Sequence, residues 1–167
     1  SETQDAVYNV DPGTYTFTET DEDGYTLKDI DPDNDADESN GTTVTVTSNE
    51  DLTITFTNWQ DPVSISGYKY EDGDADGNTT DDQEGITGWA IELYKCTSAN
   101  FDSCAKIADA TTDGNGYFEF TDLLPGYYQV KEILQDGWQN ISDLFANRTA
   151  TPGDSIDYVS FVNYEEV

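Results

Sequence analysis

The chain has 167 residues, with 36 Asp and Glu against 6 Lys and Arg, for a formal charge of −30. This charge makes nucleic acid and anionic membrane surfaces poor partners, because binding them depends on Lys and Arg neutralising phosphates. Cations are the natural partners; since molar salt screens such a surface, we expect a halophilic source with at least one calcium site. No apolar run is long enough to span a membrane.

Almost every apolar run alternates with the period of a strand. In chain order, the predicted strands are 14–20, 42–48, 52–58, 64–70, 89–95, 116–122, 127–133 and 155–164. Gly, Pro and Asp turns separate them, and "DLFAN" (143–147) is expected to form one helical turn at most. Many short strands with such turns predict an all-β fold built as a β-sandwich.

The sequence also contains an internal repeat. The segment "DPGTYTFTETDEDGYTL" (11–27) matches "LPGYYQVKEILQDGWQN" (124–140), and "LTITFTNW" (52–59) matches "DYVSFVNY" (157–164). We therefore expect two tandem domains, 1–60 and 61–167. The first has no counterpart of the strands in 61–123, so it is either a shortened sandwich or an incomplete one. In the second case, its missing strands come from upstream sequence or another chain.

Cys96 and Cys104 are the only cysteines of the chain, which also lacks His. Such a pair cannot make a zinc site, so we expect a disulfide and an oxidising, extracellular setting. Four Asn-x-Ser/Thr triplets are candidate glycosylation sites in that setting, although such triplets are common by chance: Asn40, Asn78, Asn140 and Asn147.

Three segments together resemble a known family: "ISGYKYEDGDADGNTTDDQEGITGWAIELY", "TTDGNGYFEFTDLLPGYYQVKE" and "SFVNYE". They are similar to the B-type repeats of cell-surface proteins, the Cna-B or serine-aspartate-repeat B-like domains. The resemblance implies a transthyretin-like or Ig-like sandwich in a surface stalk, adhesin or pilus-like filament. It also implies head-to-tail contacts with adjacent repeats or other copies, and it suggests a loop-bound calcium or a Lys–Asn isopeptide bond.

The acidic loop 72–84 has the spacing of a calcium site. Asp72, Asp74 and Asp76 stand at the first, third and fifth positions of an EF-hand-like loop, with Gly77 at the turn. The remaining predicted ligands are Asn78, Asp81 and Glu84; one inserted residue within 78–80 displaces Asp81 and Glu84 from the standard register. The alternative is a solvated acidic loop. A second acidic run (29–39) lacks the turn glycine and a closing Glu, and we expect it to be a solvated loop; its alternating acids are Asp29, Asp31, Asp33, Asp35 and Asp37.

Three polar residues fall in phase with core positions. Lys69 alternates with Ile65, Glu132 with Val130, and Asn163 lies in "FVNY", so all three are expected to point into the sandwich. In the resembled family, the first-strand Lys attacks the last-strand Asn while the buried Glu transfers protons. The alternative is a buried Lys–Glu ion pair with Asn hydrogen-bonded beside it.

The first domain keeps Glu19 and Asn58 at the matching positions. Lys28 follows the Glu19 segment and cannot serve as a first-strand nucleophile. No internal bond is therefore expected in this domain. A strand carrying a Lys, donated by another segment, would find a docking site here.

Catalysis on an external substrate is not expected, since the chain lacks His, a Ser or Cys constellation and a phosphate-binding glycine loop. The rival to a structural repeat is an adhesive module that binds glycan or protein through exposed aromatics, with Trp59, Trp89 and Trp138 as candidates. We expect these rings to pack in the core or at its edge instead.

Overall fold

The computed structural model describes residues 6–32, 41–77 and 83–166. These residues form β-strands joined by turns and contain no helix, which confirms the predicted all-β class. No helix in the described ranges is long and apolar enough to cross a membrane. The chain divides into two compact units, Ser1–Trp59 and Gln60–Val167, called here the first unit and the second unit.

The described part of the first unit consists of two strand pairs. Its strands are β1 (Gly13–Thr18), β2 (Tyr25–Asp31), β3 (Gly41–Val46) and β4 (Thr55–Gln60). Strand β1 pairs antiparallel with β3, and β2 pairs with β4. Ile30 and Val44 are its buried apolar side chains among the described residues. This core is small for a unit of this length. Because burial of apolar surface is the main contribution that stabilises a folded unit, this core contributes little stability.

The second unit is a sandwich of two sheets. Its strands are β5 (Val63–Asp72), β6 (Gln83–Gly85), β7 (Ala90–Cys96), β8 (Cys104–Thr111), β9 (Tyr117–Leu123), β10 (Gly126–Glu132), β11 (Trp138–Asn140), β12 (Phe145–Ala150) and β13 (Ser155–Glu165). One sheet has the order β12-β10-β7-β8. The other has the order β11-β13-β5-β6, with β9 also paired to β5.

The core of the second unit lies between these sheets, where the strands alternate one side chain in and one out. Its buried members are Val63, Ile65, Trp89, Ile91, Leu93, Phe118, Phe120, Tyr128, Val130, Ala150, Val159 and Phe161. The parallel neighbours β5 and β13 approach closely at Gly67, where an added Cβ would lie 2.0 Å from the Val159 carbonyl oxygen. Glycine is therefore required for these two strands to lie side by side.

The sequence repeat is visible in the tyrosines that follow each Pro-Gly turn. Tyr15 on β1 donates its hydroxyl proton to the Asp11 carbonyl oxygen at 2.7 Å. Tyr128 on β10 makes the matching bond to the Leu124 carbonyl. The same bond over the same four residues shows that β1 and β10 enter their sheets in the same way.

A second matched contact lies in the turn before the last strand of each unit. The backbone N–H and the hydroxyl of Thr47 both donate to Glu50 Oε2, each at 2.7 Å. Thr151 makes the same two bonds to Asp154 Oδ2, at 2.6 and 2.9 Å. In both turns, a carboxylate accepts hydrogen bonds from the backbone N–H and the hydroxyl of the Thr three residues earlier. Such side-chain to backbone hydrogen bonds are common in tight turns.

Two sequence-based expectations were wrong in detail. Part of the segment "DLFAN" belongs to strand β12, which begins at Phe145, rather than to a helical turn. The acidic run that begins at Asp29 is not wholly a loop, because Asp29 and Asp31 lie on β2. The other alternating acids of that run, at 33, 35 and 37, lie outside the described residues.

Candidate functional site

The candidate site is built around Lys69, which lies on the central strand β5 and is fully buried. Its backbone position pairs with Phe161 of the parallel strand β13. The ammonium Nζ donates to the carbonyl oxygens of Tyr70 at 3.0 Å and Phe161 at 3.3 Å. It also lies 4.8 Å from the centre of the Trp89 ring, which favours the cation electrostatically.

Glu132, the last residue of β10, faces this lysine across the sandwich. Lys69 Nζ lies 3.6 Å from Glu132 Oε2, and neither side chain has any solvent exposure. Burial lowers the pKa of Lys69 from 10.5 to about 8, against the opposing effect of the Glu132 charge. Burial likewise raises the pKa of Glu132 above its ordinary value. Both shifts favour the neutral forms, a nucleophilic amine and a proton-donating acid.

Asn163 on β13 completes the predicted group and is fully buried. Its side-chain Nδ2 donates to Glu132 Oε2 at 3.1 Å. A single carboxylate oxygen therefore lies within reach of both the Lys69 amine and the Asn163 amide nitrogen. The structure thus brings together the three residues that alternation placed on the inner face, and they include a nucleophile, a proton carrier and a carboxamide.

Asn140 on the short strand β11 is a further member that the sequence did not identify as such. Its Nδ2 donates to Asn163 Oδ1 at 2.9 Å and also to Glu132 Oε1. These bonds hold the Asn163 carbonyl oxygen and the Glu132 carboxylate in place. A donor at that carbonyl oxygen can stabilise negative charge that develops there.

The predicted calcium ligands fall into described and undescribed groups. Asp72, Asp74 and Asp76 each offer a carboxylate oxygen, and these oxygens lie within 4.8 Å of one another. Asp72 is 1% exposed, and its Oδ1 has no hydrogen-bond partner in the described structure. Its Oδ2 accepts the backbone N–H of Gly77 at 3.0 Å, which curls the loop around the carboxylates. A buried carboxylate oxygen without a donor is well suited to a cation.

Of the other predicted ligands, the structure describes Glu84 alone, and Glu84 is not part of this cluster. Asn78 and Asp81 lie outside the described residues. Glu84 is exposed on β6, where it pairs with Glu71 of β5. Their roles as calcium ligands remain predictions.

Cys96 and Cys104 form a disulfide that closes the hairpin between β7 and β8. The two residues pair directly in the register of these strands. The bond therefore closes a short loop at one corner of the second unit.

The tryptophans of the second unit pack rather than form a binding platform. Trp89 is 1% exposed and meets the half-buried Trp138 edge to face at 5.2 Å between ring centres. Trp59 in the first unit is 62% exposed, and Lys28 Nζ lies 5.1 Å from its ring centre. Among the three rings, Trp59 is the one that is largely exposed.

The candidate glycosylation sites also differ in accessibility. Asn140 uses its amide nitrogen inside the buried cluster, which is inconsistent with carrying a glycan there. Asn147 on β12 is exposed and accepts a hydrogen bond from Gln129. Asn40 and Asn78 lie outside the described residues.

In the first unit, Glu19 and Asn58 form the counterpart of the Glu132–Asn163 bond. Asn58 Nδ2 donates to Glu19 Oε1 at 2.6 Å. Glu19 is half-buried and Asn58 is exposed. The pair is therefore assembled without the enclosing core that surrounds its counterpart.

Comparison with known proteins identifies the second unit. The profile of the SdrD B-like domain family matches residues 63–156. Two Staphylococcus epidermidis proteins are similar over part of the chain. A serine-aspartate repeat-containing protein F is 33% identical over 75 residues, and a fibrinogen-binding protein is 35% identical over 82 residues. These matches cover 45% and 48% of this chain, but only 4% and 7% of those relatives.

A structural comparison extends over both units. The Bacillus anthracis TIE protein matches with a TM-score of 0.65 at 20% sequence identity, covering 92% of this chain and 25% of that one. At this identity the match shows the β-sandwich fold alone.

Proposed function

Because this chain belongs to the SdrD B-like domain family, we propose that it is a non-enzymatic structural repeat of an extracellular, cell-surface stalk, adhesin or filament subunit. In this proposal it contacts adjacent repeats or other copies head to tail. The observation that carries the proposal is the buried Lys69, Glu132 and Asn163 group between the first and last strands of the second unit. Such a group would allow the unit to form a covalent cross-link between its first and last strands.

The proposed cross-link is an amide bond between Lys69 and Asn163. The neutral Lys69 Nζ attacks Asn163 Cγ, so that the Nζ–Cγ bond forms and the Cγ–Nδ2 bond breaks. One proton passes from Nζ through Glu132 Oε2 to Nδ2, and ammonia leaves. Asn140 supports the step by donating to the Asn163 carbonyl oxygen. Fixing the three groups in one dry core supplies much of the rate, because no diffusion or reorientation is needed.

The topology gives this bond a mechanical role. Strand β5 begins the second unit and β13 ends it, and the two lie side by side in one sheet. A covalent bond between them would carry tension from one end of the unit to the other. The strands between them would then be shielded from force, as a load-bearing stalk requires.

Calcium binding is proposed as a second stabilising feature of this unit. The oxygens of Asp72, Asp74 and Asp76 would hold the ion, which would neutralise three clustered carboxylates and fix the loop after β5. The unpartnered, buried Asp72 Oδ1 supports this assignment. The saline setting remains a prediction, which rests on the charge of −30.

Single-molecule stretching of the full chain from its two termini tests the load-bearing function. The segment between Lys69 and Asn163 should not extend in the wild-type chain, since the bond bypasses it. In Asn163→Ala the same segment should unfold and lengthen the chain. A wild-type chain that extends as far as the variant would contradict the function.

A ligand-binding adhesive module is the second candidate, and one observation favours it. Tyr68, Tyr70 and Tyr117 form an aromatic cluster on the outer face of the β5 sheet, with ring centres 5.5 and 5.3 Å apart. Such clusters can stack on sugars or on protein surfaces. Binding to a glycan array or to immobilised fibrinogen, lost in Tyr68→Ala, would support this function. No binding to either leaves the structural role alone.

A further inference from the structure

We propose that the second unit stacks face to face with further copies of this chain. In each contact, the outer face of the sheet β12-β10-β7-β8 of one copy packs on the outer face of the β5 sheet of the next. The first surface carries Lys131 and is called here the cationic face. The second carries Tyr68, Tyr70 and Tyr117 and is called the tyrosine face. This stacking goes beyond head-to-tail contacts, and it does not depend on the amide bond.

The two sheets of the second unit differ in charge. Each strand of the sheet β12-β10-β7-β8 carries one basic residue, so this sheet holds four of the six in the chain: Lys95, Lys106, Lys131 and Arg148. Its strands carry three acids, Glu92, Asp109 and Glu132. The strands of the other sheet carry one basic residue, the buried Lys69, and seven acids, five of them exposed: Glu84, Glu119, Asp122, Asp157 and Glu165. The two sheets are therefore electrostatically complementary.

Lys131 and Phe145 lie side by side on the cationic face. The neighbours of Lys131 in β10 point into the core, so strand alternation directs Lys131 outward, where it pairs in register with Phe145 of β12. The Phe145 ring is 49% exposed. Lys131 forms no ion pair with any described residue, whereas Lys106 on the same face is held by two carboxylates. The face therefore presents an uncompensated ammonium beside an exposed apolar ring.

The tyrosine face combines aromatic rings with an exposed carboxylate. Tyr68 is 38% exposed, stacks with Tyr70 on the same strand and meets Tyr117 of β9. Glu119 lies two residues after Tyr117 and hence on the same face, where it pairs in register with Ser66. Glu119 is exposed and forms no ion pair with any described residue. Tyrosine rings and a carboxylate both attract an ammonium group.

The occupant of the tyrosine face that this chemistry favours is the cationic face of a second copy. Lys131 would supply the ammonium for the rings and for Glu119, and Phe145 would add apolar contact area beside Tyr68. The two faces lie on opposite sides of one sandwich, so each copy offers both. A contact between two different faces repeats from copy to copy without closing, which gives an open-ended stack.

The size of the faces predicts a weak, reversible contact. Four strands spaced about 4.8 Å apart, each about seven residues long at about 3.4 Å per residue, cover roughly 450 Å². Two copies together would bury roughly 900 Å², below the area of a stable complex and in the range of transient contacts. Copies that are already held side by side, on one surface or in one filament, would populate the contact because tethering raises their effective concentration.

Sedimentation equilibrium of the full chain at about 1 M NaCl tests the inference, because salt then screens the repulsion between copies of charge −30 beyond about 3 Å. The weight-average mass should rise with concentration without a plateau. Lys131→Glu and Glu119→Lys should each weaken association about tenfold, since a repulsive contact replaces an attractive one. Lys28→Glu and Glu22→Lys make the same charge changes in the first unit and should leave association unchanged.

A mixing experiment shows whether two different faces meet. Lys131→Glu keeps an intact tyrosine face, and Tyr68→Ala keeps an intact cationic face. Each variant alone should associate weakly, whereas their mixture should form a 1:1 complex with the affinity of the wild-type contact. Tyr25→Ala, which removes an exposed ring of the first unit, is the control for Tyr68→Ala and should stack like the wild type.

Three results would overturn the inference. One is a wild-type chain that stays monomeric over the whole concentration series. Another is a mass that stops at the dimer, which indicates contact between identical faces. The third is equal weakening by Lys131→Glu and Lys28→Glu, which indicates an effect of net charge alone. Glycan binding lost in Tyr68→Ala, in a chain that does not self-associate, would assign the tyrosine face to the adhesive function instead.

Discussion

Glu19 and Asn58 in the first unit form the same hydrogen bond as Glu132 and Asn163 in the second, but in different surroundings. The second pair is fully buried and faces Lys69, whereas Asn58 is exposed and no described lysine faces it. The difference arises from the strands that the second unit adds beside β13 and β10. In the proposed function, identical residue pairs are expected to be reactive or inert according to which strands cover them.

Burial changes the ionisation states of the amine and the carboxyl group. In water an amine near neutral pH is protonated and a carboxyl is ionised, so neither is ready to form an amide. The dry core of the second unit shifts the pKa values of Lys69 and Glu132 toward the neutral forms. In the first unit, Glu19 is half-buried and Asn58 is exposed, so this pair lacks a dry environment.

The largest expected difference between the two units follows removal of the asparagine. Asn163→Ala should lower the free energy of unfolding of the second unit by about 5 kcal/mol, because a cross-link closing roughly 100 residues contributes about that much. Asn58→Ala should cost the first unit less than about 1 kcal/mol, the value of one exposed hydrogen bond. Guanidinium unfolding followed by tryptophan fluorescence, in a Trp59→Phe background, measures the loss caused by Asn163→Ala in the second unit. Equal losses in the two units would contradict the comparison.

The core phenylalanines should show the next largest difference. Phe161→Ala should cost about 4 kcal/mol, since a fully buried ring leaves a cavity. Phe56→Ala should cost roughly half as much, because that ring is only half-buried. Thermal unfolding of the two variants checks the ratio. A larger effect at Phe56 would mean that the first unit is covered in solution.

Titration of the unbonded lysine gives a pH-dependent effect. Burial lowers the pKa of the free Lys69 amine from 10.5 to about 8, and we expect the same shift in Asn163→Ala, where no bond can form. Between these values the unfolded chain binds more protons, so the free energy of unfolding rises with pH; below about pH 8 both states are protonated and the contribution is constant. The gain is about 3 kcal/mol.

The control for this titration is Asn163→Ala/Lys69→Met, which removes the amine. Subtracting its unfolding profile from that of Asn163→Ala cancels the tyrosines that ionise in the same range. A flat difference between pH 8 and 10.5 would show that Lys69 is not desolvated.

Calcium should stabilise one unit and not the other. Chelation at fixed ionic strength should lower the free energy of unfolding of the second unit by about 2.7 kcal/mol from a state with calcium about 100-fold above its Kd. Asp72→Asn should remove this response. The first unit should be unaffected by chelation. An unchanged melting temperature of the wild-type second unit would exclude the metal.

Much of the candidate site was predictable, since strand alternation depends on local sequence alone. Lys69 lies in phase with Ile65, and Glu132 lies in phase with Val130; all four side chains are buried. The long strands β5, β10 and β13 carry enough apolar residues for the period of two to be evident.

The missed parts depend on contacts that local sequence does not encode. Asn140 lies on a strand of only three residues, and its position follows from pairing with Asn163 on β13. Strand β12 places Ala146, Arg148 and Ala150 on its inner side. Small and charged side chains give weak alternation, so the segment carries little strand signal.

The most direct test of the account is the mass of the reduced, purified chain with fragmentation mapping. We predict a mass lower by one ammonia than the sequence requires, with a branched peptide that joins Lys69 to Asn163 and is absent in Glu132→Gln and Asn163→Ala. Asn58 should be intact in the same sample. A full sequence mass, or a bond located at Asn58 of the chain alone, would contradict the claim that burial by the added strands makes the second pair reactive.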